Sequence, residues 1–411
     1  TMKGGWSLNL PKTTIALDLE GGYGGNKRKG EMNYKETRSV AGGSPVTEDY
    51  RSIDDYDNDE NIGLGSLAVQ HKFNDKGHEL SGSAYYKYGG HALEYFFNDL
   101  MSLEGQRQQG HRAYEAEHRE TMRINLDYAL PFGKGGKLEA GYQYYSYLED
   151  GDYNMEWWDP KGQTFFWRDD IYNTFYFQEG VNSIYTILSH TWKNLEAQAG
   201  VRGEHTHTVL RSSVEGADRT KNRFEFFPSV HLGYTFPNEH RLLASYSRRT
   251  TRPQLFYMEP YITYRDFYTA EIGNPDIRPE YINSFELNYR KSFGENTVSA
   301  TAFHRYRKDK IERLRVPYSA GVTLDSMANV GHDYSTGIEL SVSLHPVRWW
   351  NTTVNGNVYH YKVKNEQAAG GNTTSSTNYD ILWNNLFNLG KYTRIQLDGS
   401  FVGPSVTTQG R

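Results

Sequence analysis

The 411-residue sequence contains no cysteine, no long apolar run and no marked excess of charge of either sign. Without cysteine the chain has neither disulfide bonds nor thiolate metal sites. A transmembrane helix needs about 18 consecutive apolar residues, and no such run is present. The first residues also lack the apolar core of a signal peptide. The formal net charge of −5 lacks the basic surplus of a nucleic-acid-binding protein, so no nucleic-acid partner is expected.

Helical patterning is scarce as well, and only residues 91–105 favour a turn or two of helix. The chain is instead rich in tyrosine and glycine, with 33 Tyr, 40 Gly and an aromatic content of 15%. Aromatic side chains fit the pleated surface of a sheet. The composition therefore favours β structure.

Apolar and polar residues alternate strictly from one end of the chain to the other. Phe285, Leu287 and Tyr289 share one face of a strand, while Glu286 and Asn288 lie on the opposite face. Such alternation is typical of strands with one apolar and one polar surface.

The connections between these strands alternate between tight turns and long linkers. Tight turns are predicted at 11–12, 74–77, 133–136, 192–194, 237–240, 294–296, 345–348 and 390–391. Long linkers are predicted at about 25–60, 91–117, 151–173, 211–222, 253–281, 311–332 and 365–377. Tight turns at one end and long loops at the other are typical of outer-membrane barrels. The sequence predicts an all-β, antiparallel, up-and-down transmembrane β-barrel, with about 16 strands of about 10–15 residues.

Aromatic residues near the strand ends agree with this prediction. Membrane barrels carry aromatic girdles where they meet the lipid headgroups. The candidates for such girdles are Phe132, Trp192, Phe236, Phe293 and Trp349–Trp350. Outer-membrane lipids are therefore an expected partner, and the cell outer membrane is the expected location. A soluble protein with an amphipathic sheet is the alternative interpretation.

The stretch from Tyr246 to Tyr289 carries a specific motif. It reads YSRRTTRPQLFYMEPYITYRDFYTAEIGNPDIRPEYINSFELNY and closes a long linker just before an alternating strand. Proline fixes φ and drives the preceding residue towards extended geometry, so the linker re-enters the sheet without slack. Long, stiff loops of this kind commonly fold inward or bind a ligand.

This stretch resembles the barrels of TonB-dependent receptors, in particular the branch common in Bacteroidetes. The matching residues are Arg252, Pro253, Pro260, Asp266, Gly273, Asn274, Pro275, Pro279 and Glu280. The C-terminal segment GPSVTTQGR also resembles the run of that family towards its last strands.

The resemblance implies a barrel of about 22 strands, a plug domain inside it, and import energised by TonB. The chain departs from that pattern, because it shows no plug-like region, no TonB box and no aromatic C-terminal strand. Residues 1–411 are thus expected to be one incomplete barrel, without the plug and the C-terminal strands.

An aromatic segment in one predicted outer loop is the first candidate for ligand binding. Trp157, Trp158 and Trp167 lie there close to acidic residues. Flat aromatic faces stack on sugar rings or on a chelate, although packing within the loop is the competing interpretation. A second candidate is a charge ladder on the lumen face of the barrel that includes Arg249 and Glu286. The alternative interpretation is that these are solvated wall charges without a specific role.

The predicted function is that of a TonB-dependent receptor that imports a scarce siderophore, oligosaccharide or peptide. A passive porin-like channel and a soluble, surface-exposed glycan-binding protein are the alternatives. No catalytic residues, metal ligands or cofactor are predicted, so the protein is not expected to be an enzyme. A TonB complex acting through a plug is the expected partner, and the resemblance leaves open whether a surface lipoprotein also caps the barrel.

Overall fold

The computed structural model describes residues 1–38, 45–319, 321–367 and 371–406. Nearly all of them lie in strands, as the composition predicts. No helix among these residues has the length and apolar character to span a bilayer.

Nineteen strands lie in this part of the chain. Their bounds are β1 Met2–Asn9, β2 Thr13–Arg38, β3 Val46–Lys72, β4 Glu79–Ser102, β5 Arg107–Phe132, β6 Gly136–Asp159, β7 Thr164–Trp167, β8 Asn173–Trp192, β9 Leu195–Ser212, β10 Arg219–Phe236, β11 His240–Thr251, β12 Ile262–Tyr264, β13 Thr269–Ile272, β14 Glu280–Phe293, β15 Asn296–Ser319, β16 Val322–Val347, β17 Trp350–Asn365, β18 Asn372–Leu389 and β19 Thr393–Val402.

Sixteen of these strands form one continuous antiparallel wall, and each pairs with the next from β1 to β19. The other three, β7, β12 and β13, are only 4, 3 and 4 residues long. Within the described residues no ladder joins β1 to β19. The predicted all-β fold and the number of strands in the wall are confirmed, whereas the total of about 22 strands stays a prediction.

All eight predicted tight turns are present between wall strands. The turn between β14 and β15 shows why the sequence locates them well. Gly294 lies there at a φ of 57°, a left-handed conformation that glycine adopts without strain.

The wall has an apolar outer face and a mostly polar or covered inner face. On β8, Ile184 and Leu188 are 69% and 52% exposed, whereas Phe175 and Phe177, of opposite parity, are buried. A charge facing lipid at mid-bilayer costs roughly 2–4 kcal/mol, so a one-residue slip of register is strongly disfavoured. The exposed side chains next to the tight turns form the membrane band.

The strands are much longer than predicted, and most of the predicted long linkers are continuations of hairpins. β2 and β3 have 26 and 27 residues, far more than a bilayer requires. Beyond the membrane neither face has to be apolar, so the alternation stops while the backbone ladder continues. Ion pairs such as Lys29–Asp55, at 3.1 Å, join these extensions.

The helix predicted at residues 91–105 is wrong. Most of this segment belongs to β4, which ends at Ser102 and pairs with β3 and β5. Cross-strand pairing therefore overrides the weak local preference. Residues 407–411 of the predicted C-terminal family segment lie outside the described residues.

Candidate functional site

The connection between β11 and β14 folds over the inner face of the wall. We call residues 252–279 the inner loop. Leu255, Met258, Tyr261 and Ile277 of this loop are buried in one cluster with inward-facing wall residues. The wall residues of that cluster are Ala113, Tyr153, Met155, Phe175, Phe177 and Leu210. Each large apolar side chain buried in this way contributes roughly 1.5–3 kcal/mol, which offsets the entropy lost in ordering the loop.

Arg252 anchors the start of the inner loop. Its guanidinium pairs with the Glu204 carboxylate, donates to Thr206 Oγ1 at 3.2 Å, and lies 3.7 Å from Glu225 Oε2. Glu204 and Glu225 are buried on the inner face of β9 and β10. Buried carboxylates need such a partner, because an unpaired buried charge destabilises the fold strongly. Pro253 follows and lines the adjoining cavity.

The glycine and asparagine of the motif hold the end of the inner loop against its beginning. The Gly273 amide donates to the Glu259 carbonyl at 2.7 Å, and the Asn274 amide donates to the Tyr257 carbonyl at 2.7 Å. A Cβ at Gly273 would lie 2.4 Å from the Glu259 nitrogen, so only glycine permits this approach. The Asn274 side chain accepts from the Asp276 amide at 2.9 Å and shapes the turn.

The remaining motif residues tie the end of the inner loop to the wall. The Pro275 carbonyl accepts a hydrogen bond from Lys221 at 2.8 Å, and Pro279 is buried. The Glu280 carboxylate, which is also buried, accepts from the Ile311 amide at 2.7 Å. Arg307 lies 3.4 Å from the same carboxylate.

The middle of the inner loop is a small hairpin, β12–β13, whose tip reaches the opposite part of the wall. Pro260 precedes this hairpin, and Asp266 accepts from the Tyr268 amide at 2.7 Å to form its tip. The Tyr268 hydroxyl hydrogen-bonds the Tyr50 hydroxyl on β3. β13 also pairs in parallel with residues 323–326 of β16. The inner loop thus contacts wall strands from β3 to β16.

A cavity of about 670 Å³ lies at the outer side of the inner loop, and we call it the aromatic chamber. Its lining residues are Gln109, Gly110, His111, Trp157, Trp158, Tyr264, Phe267, Tyr268, Ser319, Gly321 and Val322. His111 and Trp157 are cross-strand partners on β5 and β6, so the sheet register itself brings them together. The His111 and Phe267 rings lie 4.7 Å apart.

Two ring nitrogens at the aromatic chamber have no hydrogen-bond partner among the described residues. They are His111 Nε2 and Trp158 Nε1, and both are buried. A buried polar group left unpaired costs about 1–3 kcal/mol. Burial lowers the pKa of His111 to about 4, so this imidazole is neutral at physiological pH.

A second cavity, of about 430 Å³, lies on the membrane side of the inner loop, and we call it the charged chamber. Four carboxylates and two guanidiniums line it, namely Glu117, Glu149, Glu179, Glu259, Arg119 and Arg252. Arg119 binds Glu149 at 2.7 Å and also pairs with Glu117. Burial, together with the charges of Glu117 and Glu149, raises the pKa of Glu259 on the inner loop to about 8.

An apolar layer separates the two chambers. The chambers lie about eight residues apart along β5, or roughly 26 Å at the spacing of an extended strand. Tyr261 of the inner loop packs between them, with its ring 5.9 Å from that of Tyr153. Met155 beside it is fully buried. The inner loop therefore lies between the two chambers.

The structure brings together two of the three tryptophans proposed from the sequence. Trp157 and Trp158 both line the aromatic chamber. Trp167 lies on β7, is 51% exposed and contacts Tyr114. Trp167 is not among the lining residues, and its part in binding stays a prediction.

Arg249 and Glu286 lie on adjacent strands, as expected, but not side by side. Arg249 faces Ile282 in the ladder, whereas Glu286 faces Ser245. The Glu286 carboxylate instead lies 3.3 Å from Arg305, which is also 3.3 Å from Glu339. A charge ladder thus exists on this face with Arg305 at its centre.

Sequence analysis did not find several residues of the two chambers, among them His111, Phe267, Tyr268 and Glu259. Glu259 and the pair Phe267–Tyr268 fall inside the recognised motif stretch, which could have signalled them. His111 carries no local signal, because its position depends on the register between β5 and β6.

Fold and site define an outer-membrane β-barrel whose lumen is occupied by its own loop. The chain belongs to the outer membrane protein beta-barrel family, whose model matches residues 71–411. No curated protein sequence matches the chain.

Several solved structures share the fold at low sequence identity. The copper transporter OprC has a TM-score of 0.53 at 11% identity, over 94% of this chain and 64% of that one. The RagAB peptide transporter has a TM-score of 0.53 at 12% identity, over 95% of this chain and 60% of that one. The siderophore receptor PiuA from Acinetobacter baumannii has a TM-score of 0.51 at 11% identity, over 96% of this chain and 74% of that one. The chain therefore spans less than two thirds of the length of the first two.

Proposed function

We propose that the chain is the barrel part of a TonB-dependent outer-membrane transporter. Its ligand binds in the aromatic chamber and passes the inner loop when the transporter is energised. A plug, the TonB complex and a surface lipoprotein are the partners that this proposal includes.

The inner loop is the observation that carries the proposal. It is anchored by Arg252 at β9 and β10, and its hairpin reaches Tyr50 on β3 and residues 323–326 of β16. A loop fixed at so many points obstructs free diffusion. Movement of a ligand through this level needs a displacement of the loop, and energised import supplies the work for it.

Two further observations support import. The motif Gly273–Glu280, which resembles that of TonB-dependent receptors, builds the anchored end of the inner loop. Solved structures with this fold are named as a copper transporter, a peptide transporter and a siderophore receptor. At 11–12% identity they establish the fold, and the step to transport is our inference.

The two alternatives from the sequence are less well supported. A passive channel needs an open path, whereas the two chambers are separated by buried Tyr261 and Met155. A soluble glycan-binding protein would not carry a lipid-facing apolar band, and the family is one of outer-membrane proteins.

The test compares ligand uptake and ion conductance of the full-length protein. We expect cells that contain TonB to take up the ligand and cells without TonB to lose that uptake. In planar bilayers we expect no steady ion current through the protein. Uptake that continues without TonB, together with a steady current, would establish the passive channel instead. Surface display of the protein in both strains serves as the control for assembly.

A further inference from the structure

The lining of the aromatic chamber has an unusual property in this chain: it carries no charge. Charged residues make up 23% of the sequence. Yet the described residues around this cavity are aromatic, aliphatic, amide, hydroxyl or glycine residues, together with His111. Burial keeps that imidazole neutral.

One cation stacks on each of the two tryptophans, and an acidic partner neutralises each of these cations. Arg168 stacks on Trp157, with 4.3 Å between the guanidinium carbon and the ring centre. The same guanidinium forms two hydrogen bonds with Asp170, at 2.8 and 2.6 Å.

Arg107 repeats this arrangement at Trp158, 4.9 Å from the ring centre, and binds Asp99 at 2.8 Å. A third guanidinium, that of Arg112, stacks on Phe165 at 3.8 Å. The paired cations fix the indole rings and leave little net charge to attract an anion.

The polar groups of the lining exclude a second class of ligand. Trp157 Nε1 donates to Met155 Sδ at 2.7 Å, so this group is already used. His111 Nε2 and Trp158 Nε1 are buried and do not face the cavity. Gln109 and Ser319, in contrast, are exposed residues of the lining. A pure hydrocarbon would cover their amide and hydroxyl groups without offering a hydrogen bond, whereas a hydroxyl group offers both a donor and an acceptor.

From these observations we infer that the aromatic chamber accepts an uncharged, hydroxyl-bearing ring compound, that is, a neutral sugar or short oligosaccharide. The aromatic faces stack on the apolar C–H face of a sugar ring, and the hydroxyls hydrogen-bond the exposed polar side chains of Gln109 and Ser319. An anionic metal chelate or a charged peptide would lose its hydration without meeting an opposite charge. A volume of about 670 Å³ lies within the range of small-molecule sites. The inference rests on the proposed function, because it assigns a ligand class to that site.

The test uses matched probes that differ only in charge. Purified full-length protein is titrated with neutral hexose trisaccharides and with their uronic-acid counterparts of the same linkage, and also with ferric citrate. We expect a neutral trisaccharide to bind at least tenfold more tightly than its acidic counterpart, and ferric citrate not to bind. Tighter binding of an acidic sugar or of ferric citrate would overturn the inference, as would the absence of binding by every neutral sugar.

A variant of one tryptophan adds a second readout. Trp158→Ala removes one aromatic face of the lining, and we expect it to weaken binding of the neutral sugar about tenfold. Tyr392→Ala, at an exposed aromatic residue in the tight turn between β18 and β19, is the control and is expected to leave the affinity unchanged. Equal effects of both changes on the affinity would contradict the assignment. If Trp158→Ala does not fold, the comparison of neutral and acidic sugars on the unaltered protein still decides.

The proposed function and this inference can fail separately. TonB-dependent uptake of an anionic chelate would keep the transporter and refute the sugar ligand. Binding of a neutral sugar with uptake that does not depend on TonB would refute the transporter and keep the ligand class.

Discussion

The aromatic chamber and the charged chamber are built on the same strands, β5 and β6, but their chemistry is opposite. Towards the membrane these strands present Glu117, Arg119 and Glu149 to the lumen, whereas further out they present His111 and Trp157. At the charged chamber Arg119 pairs with carboxylates within the wall, and Arg252 pairs the inner loop with the wall. At the aromatic chamber the two cations that stack on the tryptophans are paired with carboxylates, and the lining itself carries no charge. The comparison shows that a charged residue anchors the inner loop, whereas an uncharged aromatic surface is available to the ligand.

The largest expected effect comes from removing the cation that anchors the inner loop. Arg252→Met leaves the buried Glu204 carboxylate with Arg202 alone and removes the cation beside Glu225, which keeps its hydrogen bond from Tyr281. Because these partners remain, we expect a loss of about 3 kcal/mol in the free energy of unfolding, at the lower end for a broken buried ion pair, and a measurable ion current in planar bilayers. Equilibrium unfolding in urea and bilayer recording check both expectations.

Arg249→Met is the matched control for this change. Arg249 is exposed on β11, three residues before Arg252 at the start of the inner loop. We expect it to alter the free energy of unfolding by no more than about 0.5 kcal/mol. Equal effects of the two changes would show that Arg252 is not an anchor.

The next effect is the pH dependence of the free energy of unfolding that Glu259 of the charged chamber produces. The pKa of Glu259 is raised from 4.5 to about 8, so the folded chain holds a proton that the unfolded chain releases. The contribution of Glu259 to stability therefore falls as the pH rises from about 4.5 to 8, and the penalty is complete above that window. Glu259→Gln removes this penalty. We expect the free energy of unfolding to rise by an amount on the order of 3 kcal/mol at pH 9 and to change little at pH 4.

Unfolding in urea at a series of pH values measures this effect. Glu104→Gln, at an exposed carboxylate in the turn between β4 and β5, serves as the control. A Glu259→Gln variant whose stability follows the same pH curve as the unaltered protein would disprove the shift.

A smaller effect is expected where the inner loop touches itself. Gly273→Ala introduces a Cβ 2.4 Å from the backbone nitrogen of Glu259 and 2.6 Å from its carbonyl oxygen, so the loop must shift. We expect a loss of about 1–3 kcal/mol and faster proteolysis within residues 252–279. Gly24→Ala is the control, because a Cβ at Gly24 meets no atom within 4 Å. Similar proteolysis of both variants would contradict the close approach.

The smallest effect concerns the hairpin tip that borders the aromatic chamber. Tyr268→Phe removes the hydroxyl that bonds Tyr50, and we expect a loss of about 1 kcal/mol. Hydrogen exchange at residues 262–272 should become faster, while the exchange of β5 and β6 stays the same. Tyr392→Phe, at a residue that is 89% exposed, should have no effect on exchange there.

The sequence predicted those parts of the fold that the bilayer constrains. Strands next to the tight turns must present one apolar face to lipid, so their alternation is strict and their turns are easily found. The hairpin extensions escaped prediction, since outside the membrane pairs such as Lys29–Asp55 stabilise strands without any apolar face.

The candidate site was predictable only where it is local in sequence. Trp157 and Trp158 are adjacent, and the motif from Gly273 to Glu280 is continuous, so both were found. Arg249 and Glu286 were proposed together but do not face each other, because the long connection between β11 and β14 leaves their register undetermined by any tight turn. Chamber residues such as His111 were missed because they lie on hairpin extensions that the sequence indicated as long linkers.

The central claim is that the inner loop spans the lumen and separates the two chambers. The sequence contains no cysteine, so spin labels can be placed at chosen sites. Cysteines at the exposed residues Asp49 and Arg265, which flank the Tyr50–Tyr268 contact, would carry the labels. Pulsed electron paramagnetic resonance on the full-length protein in outer membranes should give one narrow, short distance between them. A broad or long distribution would show that the inner loop does not reach β3, and would contradict the account.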